Sequence, residues 1–193
     1  DLSVGLIENA RFLGGGETSL KGIYYNPNIP TEEVFITPMR GKAEGIVYSS
    51  KPLSYQGQLI ENFSVRFENG KAVEVHAEKN EALLQQLITQ DEGAAYLGEC
   101  ALIPYNSPIN ESGLIFYNTL FDENASCHLA LGMGFTNCIK DYDQYTLEQC
   151  REMGINDSMV HEDFMIGTKD LDITAVTHDG KRVPIFRGGT WAF

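Results

Sequence analysis

Positive charge is scarce in this chain: 14 Lys and Arg stand against 27 Asp and Glu, a net charge of −13. Proteins that bind nucleic acid usually carry a basic footprint for the phosphates. The balance argues against a nucleic-acid partner and is compatible with cationic ones, including divalent metals and the ammonium group of a peptide N-terminus. No apolar run approaches the ~20 residues of a membrane span, so no membrane partner is expected. There is no glycine-rich loop followed by lysine to cradle phosphate. Internal repeats, linkers and low-complexity segments are also missing. The four cysteines, Cys100, Cys127, Cys138 and Cys150, form no C-x-x-C pair and no dense framework. They read as reduced thiols of a cytoplasmic protein. Cys127 adjoins His128, but a catalytic Cys normally meets its His across the fold rather than along the chain. The chain has no initiator Met and no signal peptide, and Leu2, Val4 and Leu6 already alternate like a strand. It is therefore expected to be the C-terminal piece of a longer protein.

What is present is an ordinary globular balance. Hydrophobic residues make up 42% and charged residues 21% of 193 positions, enough to bury a real core. Short extended runs dominate: around Ile23-Tyr24-Tyr25, Val34 to Thr37 stopped by Pro38, and Gly45 to Tyr48. Leu59 to Phe67 and Ala72 to Ala77 flank Asn69-Gly70, a pair suited to a type I′ hairpin turn. Val65, Phe67, Val73 and Val75 would share its inner face, with Arg66, Glu68 and Glu74 outside. Asn80 is placed to cap a helix over Glu81 to Thr89, whose buried stripe is Leu83, Leu84, Leu87 and Ile88. A second helix is expected over Leu147 to Met153, ended by Gly154. Leu171 to Thr177 and Arg182 to Phe186 form a closing hairpin. The whole reads as one compact α+β unit, 1–193, with mixed, mostly antiparallel sheet and a few helices.

Four polar clusters sit where a core is normally apolar. Glu32 and Glu33 enter the Val34-Phe35 strand. Glu99 lies inside the apolar run Ala94 to Ile103, where an unpaired charge costs several kcal/mol to desolvate. Glu123 and His128 lie in Leu120 to Ala130; there Glu123 or Asn124 also reads as a cap and His128 as a core histidine bonded to backbone. His161 and Asp163 share one face of a strand within Met159 to Ile166, and Glu162 takes the other face. Carboxylates and imidazoles from separate segments, with no thiolate pattern, suit zinc, cobalt or manganese in a catalytic site. The set is large enough for two ions joined by a bridging carboxylate.

These segments carry a resemblance. Asn28-Ile29-Pro30-Thr31-Glu32-Glu33-Val34-Phe35, Gly98-Glu99-Cys100-Ala101-Leu102-Ile103, Leu120 through His128, Val160-His161-Glu162-Asp163-Phe164-Met165-Ile166-Gly167 and the terminal Trp191-Ala192-Phe193 resemble the thermophilic-type metalloaminopeptidases, the aminopeptidase T, aminopeptidase S and PepS group. The resemblance runs in order along essentially the whole chain. It implies the C-terminal, catalytic half of a protein about twice as long, with the N-terminal domain absent. Its metal ligands would fall on Glu33, Glu99, His128, His161 and Asp163; the spacings favour Glu33 over Glu32. Glu123 would be a further ligand or water partner. Two divalent ions (zinc, cobalt, manganese or magnesium), with Glu99 bridging, would activate a water to remove N-terminal amino acids from peptides. Glu32 and Glu123, in that order, are candidates for the carboxylate that carries the proton. Glu32 points away from Glu33 if the strand is regular. The resemblance also implies a homodimer. One departure stands out: seven residues after His128 the family has a Tyr, whereas this chain has Phe135.

Two other readings stand beside the aminopeptidase. One is a metal-dependent hydrolase of another bond, an ester or a phosphate. The other is a non-catalytic, truncated domain with weak or no metal binding, favoured by Phe135 and by the missing half. His76, His178 and Glu162 are expected to have no part in a site.

Overall fold

The expected turn at Asn69-Gly70 organises the first of the sheets. Both residues have positive φ, 51° and 80°, and they join the antiparallel strands Gln58–Glu68 and Lys71–Lys79. Val65, Phe67 and Val75 are buried as the alternation predicts, but Val73 is exposed. A bulge is the cause. Arg66 pairs with Glu74 while Phe67 pairs with Ala72, so Val73 falls out of step and Ala72 takes the inward place.

The computed structural model describes residues 1–29 and 31–193; Pro30, part of the first motif, lies outside the described residues. The hairpin belongs to a five-stranded antiparallel sheet with Leu2–Leu6, Pro38–Tyr48 and Leu53–Tyr55. Pro38 does not simply stop a strand, as the sequence suggested. It opens one eleven residues long, because proline's missing N–H is tolerated at a strand's first residue. The chain leaves Val34–Ile36 in one sheet and enters the next through Thr37 and Pro38.

The helix after the hairpin spans Glu81–Leu87, with Leu84 and Leu87 fully buried and Leu83 and Ile88 packed beside them. Asn80 does not cap it. Its backbone is left-handed, and its amide donates instead to the Leu59 carbonyl at 2.7 Å. The later helix, Leu147–Glu152, begins with a full capping box between Thr146 and Gln149. Among the described residues no helix is long and apolar enough to cross a membrane.

The second sheet carries the site. Its order is His161–Met165, His128–Gly132, Leu97–Leu102, Val34–Ile36 and Leu13–Gly14, all neighbours antiparallel. One face supplies Leu129, Leu131 and Phe164 to the main core, against Phe63, Val65 and Leu84. The opposite face holds the polar residues. A smaller sheet of Ile173–Val176, Arg182–Arg187 and Thr190–Trp191 closes a separate apolar cluster around Phe186. The architecture is α+β with mostly antiparallel sheet, as the pattern of short strands predicts.

One carboxylate ties two approaches to this sheet together. Asp91 accepts hydrogen bonds from the Met159 and Ala94 amides, at 2.7 and 2.8 Å, and from the Ser158 hydroxyl at 2.9 Å. The Met159 amide first, then Ser158 and Ala94, hold its pKa below the usual Asp range. A depressed folded pKa means stability that is present above the unfolded value near 4 and lost as pH falls through the folded one. Asp91→Asn should therefore lower unfolding stability at pH 7 by about 1–2 kcal/mol. The gap to wild type should close on acidification, as followed by urea denaturation across pH; an equal gap at all pH values would show that the charge is not responsible.

Candidate metal centre

Register places the polar side chains on one sheet face. Asp163, Ala130 and Glu99 lie in one row across three strands, and His128 and Ala101 lie in the next. His161 lies opposite Gly132, and Phe35 lies opposite Ala101. Side chains two apart on a strand share a face, so Glu33, Glu99, His128, His161 and Asp163 converge. Two glycines allow the strands this close. A Cβ on Gly98 would come 2.1 Å from the Met133 carbonyl oxygen, and one on Gly132, whose φ is 105°, 2.1 Å from that of Val160.

Around His128 Nε2 lie Glu33 Oε1 at 3.2 Å, Asp163 Oδ1 at 3.7 Å and Glu99 Oε1 at 3.8 Å. Around His161 Nε2 lie Glu99 Oε2 at 3.1 Å and Asp163 Oδ1 at 3.6 Å. Glu99 thus offers one oxygen to each imidazole. Two donor groups result, Glu33/Glu99/His128 and Glu99/His161/Asp163, with Glu99 in common.

Both imidazoles are aimed by backbone. His128 Nδ1 lies 3.3 Å from the Ser126 carbonyl and His161 Nδ1 lies 2.7 Å from that of Met133. Each carbonyl accepts the Nδ1 proton and leaves Nε2 to face the carboxylates.

The residues fit a metal ion on two counts. Buried His128 Nε2 and Asp163 Oδ1 have no hydrogen-bond partner, although both sit among charged groups. Short distances without hydrogen-bond alignment are what a shared cation would explain. Donors bound at ~2.1 Å to one tetrahedral ion lie roughly 3.4 Å apart, within the 3.1–3.8 Å observed.

The electrostatics point the same way. Burial opposes a charged His128, but Glu33, Glu99 and Asp163 outweigh it and raise its pKa well above the ordinary imidazole value. At His161 burial is likewise overcome, by Asp163 and Glu99, and the pKa is pushed up to about 11. Burial works against ionised Asp163 too, yet His161 and then His128 hold it below the usual Asp range. The cluster is a negatively charged hollow that holds positive charge.

Glu123 lies beside it. Burial first, then the Asp163 charge, push its pKa up to about 9, and Asn28 donates to its Oε1 at 2.5 Å. Thr31 and Asn124 are joined at 2.6 Å in the same wall. Glu32 is exposed and stands apart from the cluster. Glu162 turns to Thr119, which donates to it at 3.1 Å, and burial pushes its pKa to about 7. The Phe135 ring packs on the His161 imidazole with centroids 4.8 Å apart, and edge-on against Phe35 at 5.5 Å. Tyr142 and Tyr145, the phenols that follow Phe135 in the sequence, are exposed on the surface. Sequence reasoning missed the Ser126 and Met133 carbonyls, which leave no trace in residue identity, and the support from Asn28 and Thr31, which sat in a quoted motif without a role.

Comparison with known proteins identifies the relatives of this chain. The family model described as thermophilic metalloprotease (M29) matches residues 1–191. Aminopeptidase AmpS of Bacillus subtilis (strain 168) is 50% identical over 193 residues, which are 100% of this chain and 47% of that protein. Aminopeptidase 2 of Geobacillus stearothermophilus is 49% identical, over 99% of this chain and 46% of its own length. The solved structure of wild-type AmpT from Thermus thermophilus superposes with a TM-score of 0.91 at 44% identity, covering 100% of this chain and 47% of that one. The chain spans about half the length of the curated relatives it matches. The family's description implies a divalent metal, which is what the donor chemistry of this face asks for. Matched almost from end to end and sharing the fold of a solved member, the chain belongs to the thermophilic metalloprotease (M29) family.

Proposed function

We propose that residues 1–193 form the catalytic unit of a metal-dependent aminopeptidase that removes N-terminal amino acids from peptides. The observation that carries the reading is Glu99, whose two oxygens serve two overlapping donor groups. Glu33, Glu99 and His128 would hold one divalent ion, and Glu99, His161 and Asp163 the other. Zinc, cobalt, manganese and magnesium all suit oxygen and imidazole donors to some degree. When bound, such ions lower the pKa of a water towards neutrality and polarise a carbonyl oxygen. The acidic hollow also favours a substrate's free α-ammonium over a blocked terminus, which suits an exopeptidase.

Proton transfer falls to this chain's carboxylates. Glu123 is buried, adjoins Asp163, and is held by Asn28, so its proton is poised to move. Positive charge next to it would draw its pKa down from about 9, letting it take a proton from water and hand it to the leaving amine. Glu32 was the other candidate for this role, and its exposed position makes it the weaker one. The four free thiols support a cytoplasmic setting, and the resemblance supports a homodimer.

Three kinetic outcomes test the reading in the full-length protein. Glu123→Gln should reduce kcat about 10²–10⁴-fold with bound metal retained, while Glu32→Gln leaves kcat unchanged; the reverse pattern would move the proton-transfer role to Glu32. Phe135→Tyr places a phenol against His161 and should raise kcat/KM by about tenfold or more if an oxyanion is stabilised there; no change would mean that this position acts only by packing. Side-by-side turnover of amino-acid p-nitroanilides, simple esters and phosphomonoesters should favour the anilides, and faster ester or phosphate cleavage would instead support the other hydrolase reading.

A further inference from the structure

The residues that aim His161 are themselves held by a side chain outside the donor set. Thr37 is fully buried where the chain passes from Val34–Ile36 into Pro38–Tyr48. Its hydroxyl accepts the Phe135 amide proton at 2.7 Å and donates to the Phe135 carbonyl at 3.3 Å. One side chain thus bonds both backbone groups of the residue whose ring lies on His161, and the Phe135 carbonyl also accepts from the Cys138 amide at 3.3 Å.

Segment 132–135 is fixed from the other side as well. The Asn156 side-chain amide donates to the Gly132 carbonyl at 2.5 Å, and the Asn156 backbone carbonyl accepts from the Gly134 amide at 2.9 Å. The Met133 amide donates to the Val160 carbonyl at 2.7 Å. Those bonds hold the middle of the segment, where the Met133 carbonyl takes the Nδ1 proton of His161. At its far end Thr37 is the partner of the Phe135 amide, while the Phe135 carbonyl is shared with the Cys138 amide. A Cβ on Gly134 would come 2.7 Å from Thr37 Cγ2, so hydroxyl and methyl both press on the same short stretch.

We propose that Thr37 is a positioning residue for His161. Through the Met133–Phe135 segment it fixes the ring's aim, with the Nδ1 proton on the Met133 carbonyl, and so tunes the Glu99/His161/Asp163 group without touching the Glu33/Glu99/His128 group. The mechanism is geometric. Without the hydroxyl, the half-buried Phe135 amide loses its partner and the carbonyl keeps only the Cys138 amide, and a polar group shielded from water seldom stays unpaired. The segment shifts to find partners, carrying the Met133 carbonyl and the Phe135 ring with it. His161 is then free to rotate, and its Nδ1 proton is free to exchange with solvent. Groups that orient a ligating histidine typically change metal affinity 10–100-fold. This inference rests on the two-ion reading above, but its first readout does not.

The test uses the full-length protein as wild type, Thr37→Val and Thr37→Ser. Without metal, nitrogen-15 labelling of histidine should show a slowly exchanging Nδ1 proton for His161 in wild type and in Thr37→Ser. The same signal should be broadened or lost in Thr37→Val. With zinc or cobalt titrated in, Thr37→Val should bind one of two ions about 10–100-fold more weakly and the other as wild type does, with Thr37→Ser restoring both. A protected Nδ1 proton in Thr37→Val would overturn the proposal, as would equal weakening of both ions with a collapsed melting temperature. If wild type binds a single ion while the Nδ1 proton still depends on Thr37, the two-ion reading fails and the positioning role stands.

Discussion

Everything in this molecule's site follows from burying three carboxylates and two imidazoles on one sheet face. Moving a carboxylate out of water costs several kcal/mol unless positive charge or hydrogen bonds replace the lost solvation. Glu33, Glu99 and Asp163 have few hydrogen bonds for this purpose. His128 and His161 supply the charge, and their pKa values rise accordingly. Within the donor cluster two unpartnered buried atoms, His128 Nε2 and Asp163 Oδ1, remain. A divalent cation resolves that imbalance better than a proton, because it engages several donors at once. The electrostatic constraint and the family's chemistry therefore lead to the same place.

The rest of the fold serves that constraint. Antiparallel register aligns Glu99 with Asp163 and sets His128 one row away, while the opposite face packs Leu129, Leu131 and Phe164 into the core. A strand with one face apolar cannot slip by a single residue without exposing that face and burying the wrong one. Core packing thereby fixes the site's register. Gly98 and Gly132 permit the tight backbone approach, and the backbone carbonyls of Ser126 and Met133 aim the two rings. Strands carry four of the five donors, and Glu33 directly precedes the strand Val34–Ile36, which suits a site whose donor spacing has to hold to a few tenths of an ångström.

Much of this was legible in the sequence because burial of charge leaves a mark there. Glu99 stood out as one acid inside an apolar run, and His161 with Asp163 stood out by strand alternation. The Asn69-Gly70 hairpin was equally plain. Other features left no such mark. The bulge that expels Val73 depends on pairing between strands, not on either strand's own pattern. Asn80 is a good cap by residue type, but the Leu59 carbonyl competes for its side chain. Pro38 signalled a break, and only the topology shows that it is the junction between two sheets. Thr37, one residue earlier, has an unremarkable identity, and its role emerges from contacts 98 residues away.

Metal stoichiometry is the most direct test of the account: ions bound per chain by inductively coupled plasma mass spectrometry, after zinc or cobalt loading and removal of free ion, in wild type and His161→Ala. Two overlapping donor groups predict about two ions per wild-type chain and about one in the variant, since Glu33, Glu99 and His128 are untouched. A single ion in wild type, or two retained without His161, would contradict the shared role of Glu99 on which the account rests.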